Sequence, residues 1–178
     1  MKSDEAIQSE ERSGALQDGA LTLVFCSRLE AVTIAVGMVL ELLKTLASGP
    51  TLKRFELVLD EAIRNAYEHG NLGISSDEKE RLCAEDLFDE ELRRREPAAL
   101  ADGKKIRVEA TVSGRTFTCT VEDDGVGFDW QRKLQEPLEQ TVDFSHMNGR
   151  GLLLIRQIFD TVAFNERGNR ITMTKLFQ

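Results

Sequence analysis

Between Leu59 and Asn71 the chain places a carboxylate and a carboxamide one helical turn apart, at Glu61 and Asn65. At i and i+4 they project from one helix face, with Cβ atoms roughly 5–6 Å apart. Such a pair can hold a Mg²⁺ ion and a reactive hydroxyl side by side against a nucleotide phosphate. Phosphoryl transfer needs in-line positioning, neutralisation of charge by the metal, and a group that orients or deprotonates the acceptor. Glu61 suits the last task, and Asn65 can offer an oxygen to the metal. Both residue types are common on solvated helices, so the pair draws its weight from the Asn65-Ala66 and His69-Gly70-Asn71 around it.

Two glycine-bearing segments follow, Asp123-Asp124-Gly125-Val126-Gly127 and Gly149-Arg150-Gly151. Asp123 closes a predicted strand, where a buried carboxylate can accept a hydrogen bond from an adenine amino group. Gly125 and Gly127 would let the backbone approach base and sugar closely. Asp124 is the rival carboxylate and is expected to face solvent; a plain strand-exit turn would read the same way. Gly149-Arg150-Gly151 opens a predicted helix, and a helix N-terminus is a ready phosphate site. Arg150 either contacts phosphate or sits in water. His69, at a helix end beside Gly70, is expected to make a local structural contact, and His146 to be exposed. The Arg93-Arg94-Arg95 run with its acidic neighbours reads as a solvated helical face.

These residues need elements to hold them. The chain has 178 residues and a net charge of −8, enough for one domain with a sizeable core. The acidic balance argues against a general nucleic-acid binder, so a nucleotide would be captured by backbone N–H groups and a metal. Cys26, Cys83 and Cys119 lack metal-ligand spacing and read as reduced thiols. No apolar run spans a membrane and no secretory signal is evident, so a cytoplasmic protein is expected.

Residues 1–19 are polar and acidic, predicting a flexible N-terminal extension, with the domain covering 20–178. Leu21 to Cys26 reads as a strand. Ser27-Arg28-Leu29-Glu30 has capping-box form and opens a helix to about Ala47. A second helix, Thr51 to His69, has a core stripe of Leu52, Phe55, Leu59, Ala62, Ile63 and Ala66, with Gly70 expected as its C-terminal cap. Residues 74–103 form a charge-dense insertion anchored by Leu82, Leu87, Phe88 and Leu92, with Pro97 and Gly103 punctuating its end. A hairpin spans Lys105 to Val112 and Arg115 to Glu122, and residues 128–148 read as a loop. A helix from Arg150 to Phe159 and strands Thr161 to Asn165 and Arg170 to Phe177 complete the pattern. The order predicts an α+β two-layer sandwich whose mixed, mostly antiparallel sheet is covered by helices on one face.

In order and spacing, the three glycine- and asparagine-bearing segments resemble the N-box and two glycine boxes of the GHKL ATPases, the superfamily of DNA gyrase and the histidine kinases. Over residues 20–178 the chain looks most like the bacterial anti-sigma-factor serine-protein kinases. Gly151 to Asp160 and Phe164 to Asn169 are similar to that group's last helix and strand pair. The resemblance implies the Bergerat ATP-binding fold, with ATP and Mg²⁺ as cofactors. It makes Glu61 the general base for a target serine and Asn65 the Mg²⁺ ligand. Asp123 reads adenine, Gly125 and Gly127 shape its pocket, and Gly149 and Gly151 bound a lid over 128–148. It also implies a STAS-domain anti-anti-sigma substrate, a sigma factor as alternative partner, and homodimerisation. Two positions depart from the pattern: Leu153 replaces a glycine, and Asn169 replaces a threonine. The alternative expectation is a partner-switch module that binds nucleotide without kinase activity. The long insertion resembles that of domains linked to receiver or serine-phosphatase modules, so the chain could be one piece of a larger protein.

Overall fold

The computed structural model describes residues 19–135 and 151–178. Five strands form one sheet: β1 (Ala20–Cys26), β2 (Lys105–Ser113), β3 (Thr116–Asp123), β4 (Thr161–Phe164) and β5 (Arg170–Leu176). Their order is β1-β2-β3-β5-β4, and every pairing is antiparallel, in keeping with the mostly antiparallel sheet expected and without its parallel component. The expected flexible extension lies outside the described residues except for Gly19, whose carbonyl accepts from the Val112 N–H at 2.7 Å.

Side chains alternate across the sheet, and the register aligns the inward ones in rows. One row runs Leu23, Val108, Val121, Ile171; the next runs Leu21, Ala110, Cys119, Met173. The opposite face is polar, with Thr118 against Thr174 and Thr120 against Thr172 sharing hydroxyl hydrogen bonds. Each fully buried aliphatic or aromatic side chain of the inner rows contributes about 1.5–3 kcal/mol.

The inner face is covered by α1 (Leu29–Leu43), α2 (Gly49–Asn65) and α6 (Gly151–Ile158). Phe55 of α2 meets Phe159 edge-on at 5.4 Å and Phe117 of β3 at 6.3 Å, joining the helices to the sheet. From Ala66 to Asn71 the helix widens into a π-helical turn, so it runs through Gly70 instead of ending there. The insertion folds as α3 (Ser76–Ala84) and α4 (Phe88–Ala101), with Leu82 and Leu92 buried and Leu87 exposed. Pro97 lies inside α4 rather than at its end. Within the expected loop a short helix, α5 (Trp130–Gln135), follows Phe128, with the Trp130 ring stacked on Phe164. Residues 136–150, and with them Gly149, Arg150, His146 and most of the expected lid, lie outside the described residues.

The start of α1 departs from expectation. Ser27 does not cap it; the N-cap position is Arg28, with no side-chain cap bond. Instead the Leu29 N–H donates to Glu96 Oε2 of α4 at 3.2 Å. Glu96 also accepts from the Tyr67 hydroxyl at 2.8 Å. Arg95 donates to the Leu72 and Gly73 carbonyls and to Glu78 and Glu91. Only Arg93 and Arg94 of that run are exposed as expected; Arg95 and Glu96 are half-buried tertiary contacts.

Candidate functional site

A cavity of about 560 Å³ opens between α2, the π-helical turn, the start of α3, the end of β3 and α6. Glu61, Asn65, Asp123, Gly127 and Gly151 all line it. Segments far apart in the chain, from Glu61 to Ile171, therefore converge on one concavity, with walls of Val121, Ile155, Phe164 and Ile171. A concave, largely apolar space with a few convergent polar groups is the usual form of a cofactor site.

Asn65 Nδ2 donates to Glu61 Oε1 at 3.0 Å. A carboxylate can only accept here, so the bond fixes the amide orientation and leaves Asn65 Oδ1 for another partner. A neutral oxygen presented this way fits Mg²⁺, which typically takes one or two protein oxygens and completes its shell with phosphate and water. Among the described residues no cluster of three or more His, Cys, Asp or Glu side chains forms a separate metal site. Gly151, the first residue of α6, packs directly on Glu61: a Cβ there would overlap the carboxylate. The glycine thus sets how closely α6 approaches the carboxylate.

Strand alternation decides between the two adjacent aspartates. Phe25, Ile106 and Asp123 share an inward row, so the Asp123 carboxyl turns under the helices. Asp124 points outward and accepts from the Lys105 N–H at 2.8 Å. Asp123 Oδ1 accepts from the Gly125 N–H at 2.8 Å. Burial pushes the Asp123 carboxyl up to about 6, the Gly125 hydrogen bond pulls the other way, and the nearby Asp124 charge adds to the rise. At Gly70 a Cβ would collide with the Asp123 carboxyl, and at Gly125 with the Gly70 carbonyl. Gly70 is therefore required by close approach and does not serve as a cap. Gly125 supports Asp123 from behind and does not line the cavity, whereas Gly127 does. Gly127, at φ +79°, adopts the left-handed region and packs against the Arg167 carbonyl of the β4–β5 turn.

Asn169 lines the same cavity. Its Nδ2 donates to the Asp123 carbonyl at 2.6 Å, and its Oδ1 accepts from Asn165 Nδ2 at 2.8 Å. The side chain thus braces Asp123 through its backbone. His69 makes the expected local contact, Nδ1 to the Ile74 carbonyl at 2.5 Å, while its ring borders the cavity.

The contacts that three residues make at the site were not foreseen from the sequence. Asn71 is buried, donates to Ser27 Oγ and the Lys105 carbonyl, and accepts from the Asp124 N–H. It ties the π-helical turn to both strands behind Asp123. Its position directly after His69-Gly70 was the available signal. Ser27 could be read only as a cap, because its partners Asn71 and Lys104 are far away in sequence. Lys79 lines the cavity from the insertion.

The fold and cavity are those of a nucleotide-binding α+β domain with three converging boxes. Consistent with this, the chain belongs to the histidine kinase-like ATPase domain family, whose model matches residues 25–175. A comparison with curated proteins found none that matches the chain. Family membership makes it an ATP-binding domain of the GHKL type. The residues present fit ATP: Gly70 and Gly125 make room for the Asp123 carboxyl to turn inward, and Asn65 lines the same cavity with its Oδ1 left over from the Glu61 bond. No helix among the described residues is long and apolar enough to cross a membrane.

Proposed function

We propose that the chain is a Mg²⁺-ATP-dependent serine-protein kinase and anti-sigma factor, whose substrate is a STAS-domain anti-anti-sigma protein and whose alternative partner is a sigma factor. The observation that carries this reading is the Glu61–Asn65 pair facing the same cavity as Asp123. Bound ATP with Mg²⁺ supplies the transferable phosphoryl group and the charge neutralisation that transfer requires. Asp123 accepts from the adenine amino group with the oxygen not engaged by Gly125. Asn65 holds its Oδ1 toward the metal position because Glu61 retains its Nδ2. Glu61 accepts the proton of the acceptor serine hydroxyl on its second oxygen.

Glu61→Ala tests the assignment. Phosphate transfer to a STAS partner, followed by intact mass, should fall by about 10²–10⁴-fold while ATP binding persists. Normal transfer by the variant would refute the base assignment. The alternative reading, a partner-switch module that uses nucleotide only to shape a docking surface, draws support from Gly151. That residue lies directly on Glu61 and narrows access to it. A phosphoserine on the STAS protein excludes that alternative.

A further inference from the structure

Glu68 is fully buried in the π-helical turn and has no part in the chemistry above. Its Oε2 lies 2.5 Å from Lys79 Nζ of α3. Its Oε1 has no hydrogen-bond partner, and Arg64 Nη1 stands 3.9 Å away. The carboxylate therefore has one cation bound and a second within reach. Arg64 is itself held by Asp60 on the exposed side of α2, at 3.1 and 3.2 Å.

Lys79 at the same time lines the nucleotide cavity, its ammonium 5.3 Å from the centroid of the Phe88 ring of α4. The described lining includes the acids Glu61, Asp77, Glu80 and Asp123, against Lys79 and Arg170 as the cationic side chains. A polyanionic nucleotide entering this wall meets net repulsion unless a cation turns toward it. The lysine ammonium has three donors on a flexible stem, and Glu68 engages one of them.

We propose that Lys79, delivered by the insertion, is a phosphate-binding residue of the nucleotide site, and that Glu68 and Arg64 hold and release it. Without nucleotide Lys79 neutralises Glu68. With nucleotide phosphates present the ammonium turns to them, and Arg64 closes on the open Oε1 so that the buried carboxylate stays compensated. The assignment rests on the nucleotide reading of the cavity, and is independent of the serine-kinase reading.

The test is calorimetric titration of ATP, ADP and adenosine against the native chain and three variants. In Lys79→Met/Glu68→Gln, which removes both charges together, ATP and ADP should weaken about tenfold while adenosine is unchanged. Lys79→Arg should restore most of the loss. Glu68→Gln alone should tighten ATP, because the lysine is no longer held away. Unchanged ATP affinity in the double variant overturns the assignment. So does a parallel loss of adenosine, which would make Lys79 a structural counter-ion only. Uptake of none of the three ligands by the native chain removes the nucleotide reading and this assignment together. Nucleotide binding with the Lys79 pattern but no phosphate transfer removes the kinase reading alone.

Discussion

Asp123 concentrates the site's pH dependence in one carboxyl. Its folded value of about 6 stands above the ordinary 3.8, chiefly through burial. Between those values the folded chain holds a proton that the unfolded chain has released. Stability of the nucleotide-free chain should therefore be greatest below about pH 4 for this group and be lost as pH rises through about 6. The loss is on the order of 2–3 kcal/mol. Asp123→Asn should flatten that part of the curve, measured by urea denaturation from pH 4 to 8. ATP affinity should move in the opposite sense, rising through about pH 6, because the ionised carboxyl accepts where the acid competes as a donor. A native affinity that is level across that range would separate Asp123 from adenine recognition. The shared face of Glu61 and Asn65 was legible in the chain, because it depends only on helical repeat. Gly70 was not: its requirement comes from a carboxyl more than fifty residues away.

At the scale of elements, the insertion joins parts of the fold that sequence treats as unrelated. Glu96 Oε2 accepts both from the Leu29 N–H at the α1 N-terminus and from the Tyr67 hydroxyl of the π-helical turn. Burial, the Glu96 hydrogen bond and the Glu96 charge all push the Tyr67 hydroxyl well above its usual range, so it remains a donor at any working pH. Glu96→Ala leaves a backbone N–H and a buried hydroxyl without a partner, at a cost of about 2 kcal/mol. The midpoint of thermal unfolding should fall by about 5 °C. Glu96→Gln, which keeps an acceptor, should lose less. Equal midpoints for Glu96→Ala and the native chain would mean that water replaces the carboxylate without loss. The helices of the insertion were hard to anticipate because their apolar stripe is thin. They are stabilised by Leu82, Leu92, the Arg95–Glu78 ion pair between α3 and α4, and the Lys79–Glu68 contact to the π-helical turn.

At the scale of the whole molecule, the sheet separates the cysteines by environment. Cys119 is fully buried in the middle of the inner face, and burial pushes its thiol up to about 12. Cys83 is exposed on α3. A thiol reagent at neutral pH should modify Cys83 rapidly and Cys119 only when the sheet opens. Rapid labelling of Cys119 in the native state, located by peptide mass, would contradict the packing of β3 against α2. Cys83 labelling also offers a probe of the insertion, and slower reaction with ATP present would show that α3 responds to the cavity.

What the sequence determined by itself was local: two long amphipathic helices, the strand alternation, the Glu61–Asn65 face and the two glycine boxes. The helices, the alternation and the Glu61–Asn65 face follow from helical or strand periodicity, and the glycine boxes from residue type and local spacing; neither needs knowledge of distant residues. The choice of Asp123 over Asp124 became firm only when the β1–β2–β3 register placed it in the row of Phe25 and Ile106. Tertiary structure alone decided that Ser27 bonds Asn71 instead of capping α1, that Glu96 takes the capping role, and that Gly70 and Gly151 exist to admit carboxylates. It also decided that the helix runs on as a π turn through Gly70. Those choices depend on hydrogen bonds and close contacts between segments tens of residues apart, and pairings of that kind leave no periodic trace in the chain.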